Sequence, residues 1–159
     1  MAVLVDNEAG VLARVIGLFS GRGYNIESLT VAEVDAAVNR SRISIVTSGT
    51  PQVIAQIKAQ LERLIPVHSV ADLTLEGPSV EREMALVKVK GIGFNRVESL
   101  RIADAFRARV VDATSESFVF EMTGSTDKIN AFLDLMVPLG MVDVSRTGVA
   151  AITRGSNPM

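Results

Sequence analysis

The chain has 159 residues, 48% hydrophobic and 21% charged, enough to bury a core as one medium domain or two small ones and too apolar to read as disordered. Its net charge is −2, its pI is about 5.4, and aromatics make up 4% with no Trp and a single Tyr, which argues against nucleic-acid partners that need a basic surface or stacking rings. Cysteine is absent, which removes disulfides, thiolate nucleophiles and cysteine–zinc sites and suits a reducing cytoplasm. No signal peptide, transit peptide or apolar run of about 18 residues is found, so the expectation is a soluble cytoplasmic protein without a membrane partner.

Residues 1–5 predict a first strand, followed by Asp6, Asn7, Glu8, Ala9 and Gly10. Val11, Leu12, Val15, Ile16 and Phe19 then recur at steps of three and four, the period of a helix lying on a sheet, over 10–21. Asn7 or Glu8 can accept from the open N–H groups of its first turn. Gly21 and Gly23 end it. Residues 26–33 and 40–47 read as strands around a connection at 35–39. Thr50 caps a helix with Pro51 at its first position and Val53, Ile54, Ile57, Leu61, Leu64 and Ile65 on its buried stripe; Pro66 ends it before a strand over 67–75. Strand, helix, strand, strand, helix, strand is the ferredoxin-like order: a four-stranded antiparallel sheet with both helices on one face. The other face must meet solvent or a partner.

The first turn carries a possible site. Exposed N–H groups at the Gly10 helix start can receive a carboxylate, and a residue without a side chain lets a ligand approach the backbone. Asn7 and Asn25 each offer a donor and an acceptor for the ends of an amino acid. The plainer alternative makes Asn7 only a cap and Asn25 only a turn residue. The order Asp6, Asn7, Glu8, Gly10, Leu12, followed by Gly23, Tyr24, Asn25, Ile26, resembles the ACT domain, a small module that binds amino acids. The run from Arg14 to Leu29 is similar to the small, regulatory subunits of acetolactate synthase, which serves branched-chain amino-acid synthesis.

Glu76, Gly77, Pro78 and Ser79 form a compositional break, and the sequence divides into an ACT domain over 1–76, a linker over 77–83 and a second domain over 84–159. The stretch from Val80 to Val89, and the ending from Ser145 to Gly155, again resemble the acetolactate synthase small subunit. A strand over 84–90 precedes a helix for which Asn95 and Glu98 can close a capping box and Val97, Leu100, Ala103 and Phe106 face the core. Strands at 109–114 and 118–123 follow, then a helix capped by Ser125 or Thr126 with Ile129, Phe132, Leu133 and Met136 on one face. A long strand over 141–153, broken at Gly148, ends a second ferredoxin-like α+β unit.

Other chemistry finds little support. His68, the single histidine, has no Ser, Cys or carboxylate spaced to act with it, and reads as a satisfied or solvated strand residue. Gly91, Ile92 and Gly93 lack the rest of a phosphate loop and read as a turn. Arg40 and Arg42 share one strand face and are expected to be solvated. Glu81, Arg82 and Glu83 are taken as solvated or interfacial. A stand-alone enzyme would have only carboxylates to work with. An RNA-binding module would want aromatics where the strands carry Ile26, Leu29, Ile43 and Ile45.

The resemblance therefore implies a non-catalytic regulatory subunit that pairs with itself through the ACT domain and docks on a catalytic large subunit using thiamine diphosphate, Mg²⁺ and FAD. It implies that no cofactor binds this chain, and that valine is the effector. The implied valine site lies between Gly10 of one copy and Asn25 of another, with Asn7 and the apolar neighbours Val11, Leu12 and Ile26. The alternative is an ACT-type amino-acid sensor serving another enzyme, and selection of valine over leucine or isoleucine stays open.

Overall fold

The computed structural model describes residues 1–159. Packing divides them into two units, Met1–Val80 with Val149–Met159, and Glu81–Gly148.

In the first unit the order is β1 (Ala2–Asp6), α1 (Val11–Gly21), β2 (Ser28–Asp35), β3 (Arg40–Val46), α2 (Pro51–Leu61) and β4 (Val67–Ala71). The strands lie in the order β2-β3-β1-β4, all neighbours antiparallel, as a ferredoxin-like unit requires. Val11, Val15 and Phe19, four apart, put one stripe of α1 against Val3, Val5, Ile43 and Ile45 of the sheet, with Ile57 and Leu61 from α2. Each fully buried Phe, Ile or Leu among them contributes about 1.5–3 kcal/mol. Thr50 caps α2 as expected, its Oγ accepting from Val53 N–H at 3.3 Å. β4 stops four residues before the expected end, because Asp72 turns the chain: its Oδ1 accepts from Thr74 N–H and its carbonyl from Leu75 and Glu76 N–H.

The sheet face away from the helices is covered by the chain itself. Small side chains there, Ala2 and Ala71 with Leu73, pack against Ala151 and Met159 of the tail. β9 (Ala150–Thr153) pairs with β5 (Ser79–Lys90), whose first residues belong to this unit, and Arg154 N–H donates to Pro78 O. Arg42 is not solvated: its Nη2 donates to Ala151 O at 2.8 Å, and burial lowers its pKa.

In the second unit β5 leads to α3 (Gly93–Ala105), β6 (Arg109–Ala113), β7 (Ser117–Gly124), α4 (Thr126–Met136), a 3₁₀ turn at Val137–Leu139 and β8 (Met141–Arg146). The order β6-β7-β5-β8 repeats that of the first sheet. Val87, Val89, Phe118, Phe120 and Met122 meet Ile129, Phe132 and Met136 of α4, as the sequence predicts for that helix. Ser125 supplies its cap.

Several expectations are corrected. The linker placed at 77–83 is mostly strand, because β5 begins at Ser79. The strand expected over 141–153 is broken around Gly148 as expected, but the tail after it packs with the first unit, not with the second domain. α3 starts two residues before Asn95 with no side-chain cap, and Glu98 binds Arg101 at 2.5 and 2.9 Å, so no capping box forms. The helix is also rotated: Ser99 and Ala103 face inward, while Val97 is 67% exposed and Leu100 is exposed too. Ala103 shares its core with Phe118, Phe120 and Phe132.

Glu83 is neither solvated nor interfacial. Only 4% exposed, it accepts from Arg146 Nε at 2.6 Å and Nη2 at 2.9 Å, a bidentate pair, while Arg146 Nη1 donates to Asn130 Oδ1. Arg146 is the first cause that holds the Glu83 carboxyl below its usual range.

Candidate functional site

β1 delivers the chain to its edge-on end at Asp6, and Asn7 is fixed immediately beyond it. Asn7 N–H donates to Asn39 O at 2.8 Å, Asn39 Nδ2 donates back to Asn7 O at 3.2 Å, and the Asn7 side-chain amide donates to Glu33 Oε1 at 3.2 Å. Asn7 is thus held by the β2–β3 hairpin and its side-chain oxygen is left for another donor. It does not cap α1. Gly10 holds the N-cap position in the left-handed region (φ 86°), no side chain caps the helix, and no acidic residue sits in its first turn. A Cβ placed on Gly10 would meet nothing within 4 Å, so the space beside it is open, while Val11 N–H donates to Glu8 O at 3.3 Å. Val11 is buried and Leu12 partly buried, which gives the helix start an apolar floor.

Asn25 and Ile26 lie elsewhere. Asn25 O accepts from Thr47 Oγ1 at 2.6 Å, and Glu27 is tied by its N–H to Val46 O and by its carboxylate to Ser48 Oγ. Asn25 is exposed, Ile26 packs against the edge of the core, and the left-handed turn residue here is Gly23 (φ 70°), not Asn25. The register makes the separation plain: Asp6 pairs with Arg40 at one end of β3, whereas Ser28 pairs with Val46 at the other. α1 has 11 residues, a length of about 16 Å, and β3 has seven, about 20 Å. Within one chain the fold gathers Asn7, Gly10, Val11 and Leu12 but keeps Asn25 and Ile26 at the opposite end.

The residues that hold both halves, Glu33, Asn39 and Thr47, were not anticipated from sequence. Their only signal is proximity to the hairpin and to the end of β3, and which strand ends meet is a property of the register. His68 sits on β4 with Nε2 2.6 Å from Asp6 Oδ1, a satisfied strand histidine. No group of three or more His, Cys, Asp and Glu side chains could hold a metal ion, and no helix is long and apolar enough to cross a membrane. A separate cavity of about 530 Å³ lies where Thr47, Ser48 and Gly49 meet Ile54 and Lys58 of α2 and the 72–76 turn; none of the candidate site residues lines it.

Comparison with known proteins gives this geometry a family. Residues 1–69 match the AHAS small subunit-like ACT domain, and residues 82–155 match the small subunit of acetolactate synthase. The probable acetolactate synthase small subunit of Archaeoglobus fulgidus is 45% identical over 98% of this chain and 96% of its own length. The chain belongs to the acetolactate synthase small-subunit family. The isozyme 3 small subunit of Salmonella typhimurium is 43% identical over the whole of this chain and 97% of its own. The crystal structure of the acetolactate synthase small subunit from Thermotoga maritima superposes with a TM-score of 0.87 at 35% identity, covering 98% of this chain and 96% of that one. Two ferredoxin-like units, the first an ACT domain, are therefore the architecture of this small-subunit family.

Proposed function

We propose that two copies of this chain pair along β2 and bind valine at each end of the shared edge. β2 is the outermost strand of its sheet, its free side unpaired, with Val31 and Val34 exposed. Antiparallel pairing of two β2 strands about a two-fold axis sets Ser28 of one copy beside Asp35 of the other. Asn25 and Ile26 precede Ser28, and Asn7 is bonded to Glu33 near the far end of β2. The pairing thus brings the Asn25 end of one copy to the Asn7 and Gly10 end of the other, twice. The uncapped N–H groups at Gly10 receive the carboxylate, the carboxamides of Asn7 and Asn25 hold the two polar ends, and Val11, Leu12 and Ile26 take the branched side chain.

The observation that carries this reading is the open, uncapped helix start at Gly10. In the same reading the chain performs no chemistry. It docks on a catalytic large subunit that holds thiamine diphosphate, Mg²⁺ and FAD, raises its activity, and makes that activity sensitive to valine in the cytoplasm. Feedback requires valine to prefer the inhibited state over the active one; a coupling of about 1–3 kcal/mol changes activity about 5- to 150-fold. The test is co-purification with the large subunit and measurement of acetolactate formation with and without valine. Complex formation, higher activity and valine inhibition are expected. Absence of a complex and of any effect on activity overturns the reading.

A further inference from the structure

The tail after Gly148 reaches the strand that leads out of the Asn25 half of the site. Val149 is buried, although it lies in a tail. Its N–H donates to Ser28 Oγ at 2.8 Å and its carbonyl accepts from Thr30 Oγ1 at 3.4 Å. Ser28 and Thr30, two apart, present their hydroxyls on the same face of β2, away from the helices. One residue of the tail is therefore gripped at both backbone groups by consecutive side chains of that face, as in a rung of sheet. Two residues on, Arg42 Nη2 bonds Ala151 O, and Ala151 with Met159 packs on Ala2, Ala71 and Leu73. The tail thus crosses the sheet from its β2 edge to its β4 edge.

β2 needs such a support. It is an edge strand whose one strand neighbour is β3, and five of its eight residues are exposed. Edge strands with few buried contacts open locally at little cost. Residues 25–27, immediately before it, are tied by hydrogen bonds to Thr47, Val46 and Ser48 at the end of β3, with Ile26 packed at the edge of the core. The grip of Val149 on Ser28 and Thr30 fixes β2 within three to five residues of Asn25, from a direction that β3 cannot supply.

We propose that residues 149–153 are a positioning element of the amino-acid site: by clasping Ser28 and Thr30 they hold Asn25 and Ile26 in the binding arrangement. This rests on the valine-site reading above. It makes effector affinity depend on the far end of the chain, and the covalent run through Gly148 joins that end to β8 of the second unit.

The test uses the full chain with Ser28→Ala, which leaves Val149 N–H without its acceptor, and Ser28→Thr, which restores a hydroxyl. Amide hydrogen exchange is followed by mass spectrometry over residues 25–34, and valine binding by calorimetry. Ser28→Ala should speed exchange in that segment about 3- to 10-fold and weaken valine binding by a similar factor, the loss of one hydrogen bond; Ser28→Thr should recover both. Unchanged exchange in Ser28→Ala overturns the clasp whether or not valine binds. Faster exchange with unchanged valine affinity overturns its role in the site. If the unaltered chain itself binds no valine, the valine reading fails and takes the positioning role with it, while the exchange result still judges the clasp.

Discussion

The Asn7 side-chain amide donates to Glu33 Oε1 across 3.2 Å, tying the end of β1 to the far half of the edge strand β2. This bond orients the carboxamide at the mouth of α1 and locates it at the strand end that a second copy would approach. It also commits one donor of Asn7 inside the chain, so its remaining capacity toward a ligand lies chiefly in its oxygen.

Gly10→Asp should abolish valine inhibition of the assembled enzyme while leaving activation largely intact. The new carboxylate would stand where the valine carboxylate is received, and like charges there repel. The left-handed φ adds a local cost of about 1–2 kcal/mol, with no clash, since nothing lies within 4 Å of a Cβ. Inhibition curves with and without the substitution decide it; full sensitivity in Gly10→Asp would put the pocket in the wrong place.

Asn25→Ala should weaken valine binding by about 1–3 kcal/mol, the range for stranding a polar partner buried on binding. Its backbone anchor, Thr47 Oγ1 on Asn25 O, does not depend on the side chain, so the fold should survive. Unaltered affinity by calorimetry would remove Asn25 from the site.

Glu83 and Arg146 set an acid limit on stability. Arg146 lowers the Glu83 pKa below its unfolded value, so on acidification the unfolded chain takes up this proton first. The pair's contribution is complete at neutral pH and is lost as pH falls below about 4.5 through the folded value. Glu83→Gln should flatten the fall of the thermal midpoint between about pH 5 and pH 3. Arg146→Met, which leaves Glu83 buried without its cation, should cost about 3–5 kcal/mol at neutral pH. Parallel acid profiles for the parent and Glu83→Gln would contradict this account.

Gly140→Ala should be among the most damaging single changes in the second unit. The residue has φ 104°, and a Cβ would stand 2.1 Å from Lys90 O, a backbone atom that cannot rotate away. Left-handed strain and overpacking together predict a loss of about 2–5 kcal/mol. A urea midpoint equal to that of the parent would show that β5 and the turn before β8 can separate without cost.

Sequence by itself determined α1 from Val11, Val15 and Phe19, the start of α2 from Thr50 and Pro51, and α4 from Ile129, Phe132 and Met136, although α2 stops at Leu61 and Ile65, expected on its buried stripe, is exposed. Local chemistry suffices there, because one helix face and its cap lie within a few residues of one another. The residues around Gly10 and Asn25 were legible as words of a family, with the open helix start already implied by the glycine. Tertiary structure decided what depends on distant neighbours. It turned Val97 outward and Ala103 into the core that holds Phe118, Phe120 and Phe132, and it buried Glu83 because Arg146, paired with Ala85 two residues along β5, reaches its carboxylate. It also drew the tail onto the first sheet, where Ala2 and Ala71 leave room for a covering chain. Finally it set Asn25 a strand length away from Gly10. Spacing along a chain says nothing of which strand ends meet; register does, and register is settled by the whole sheet at once.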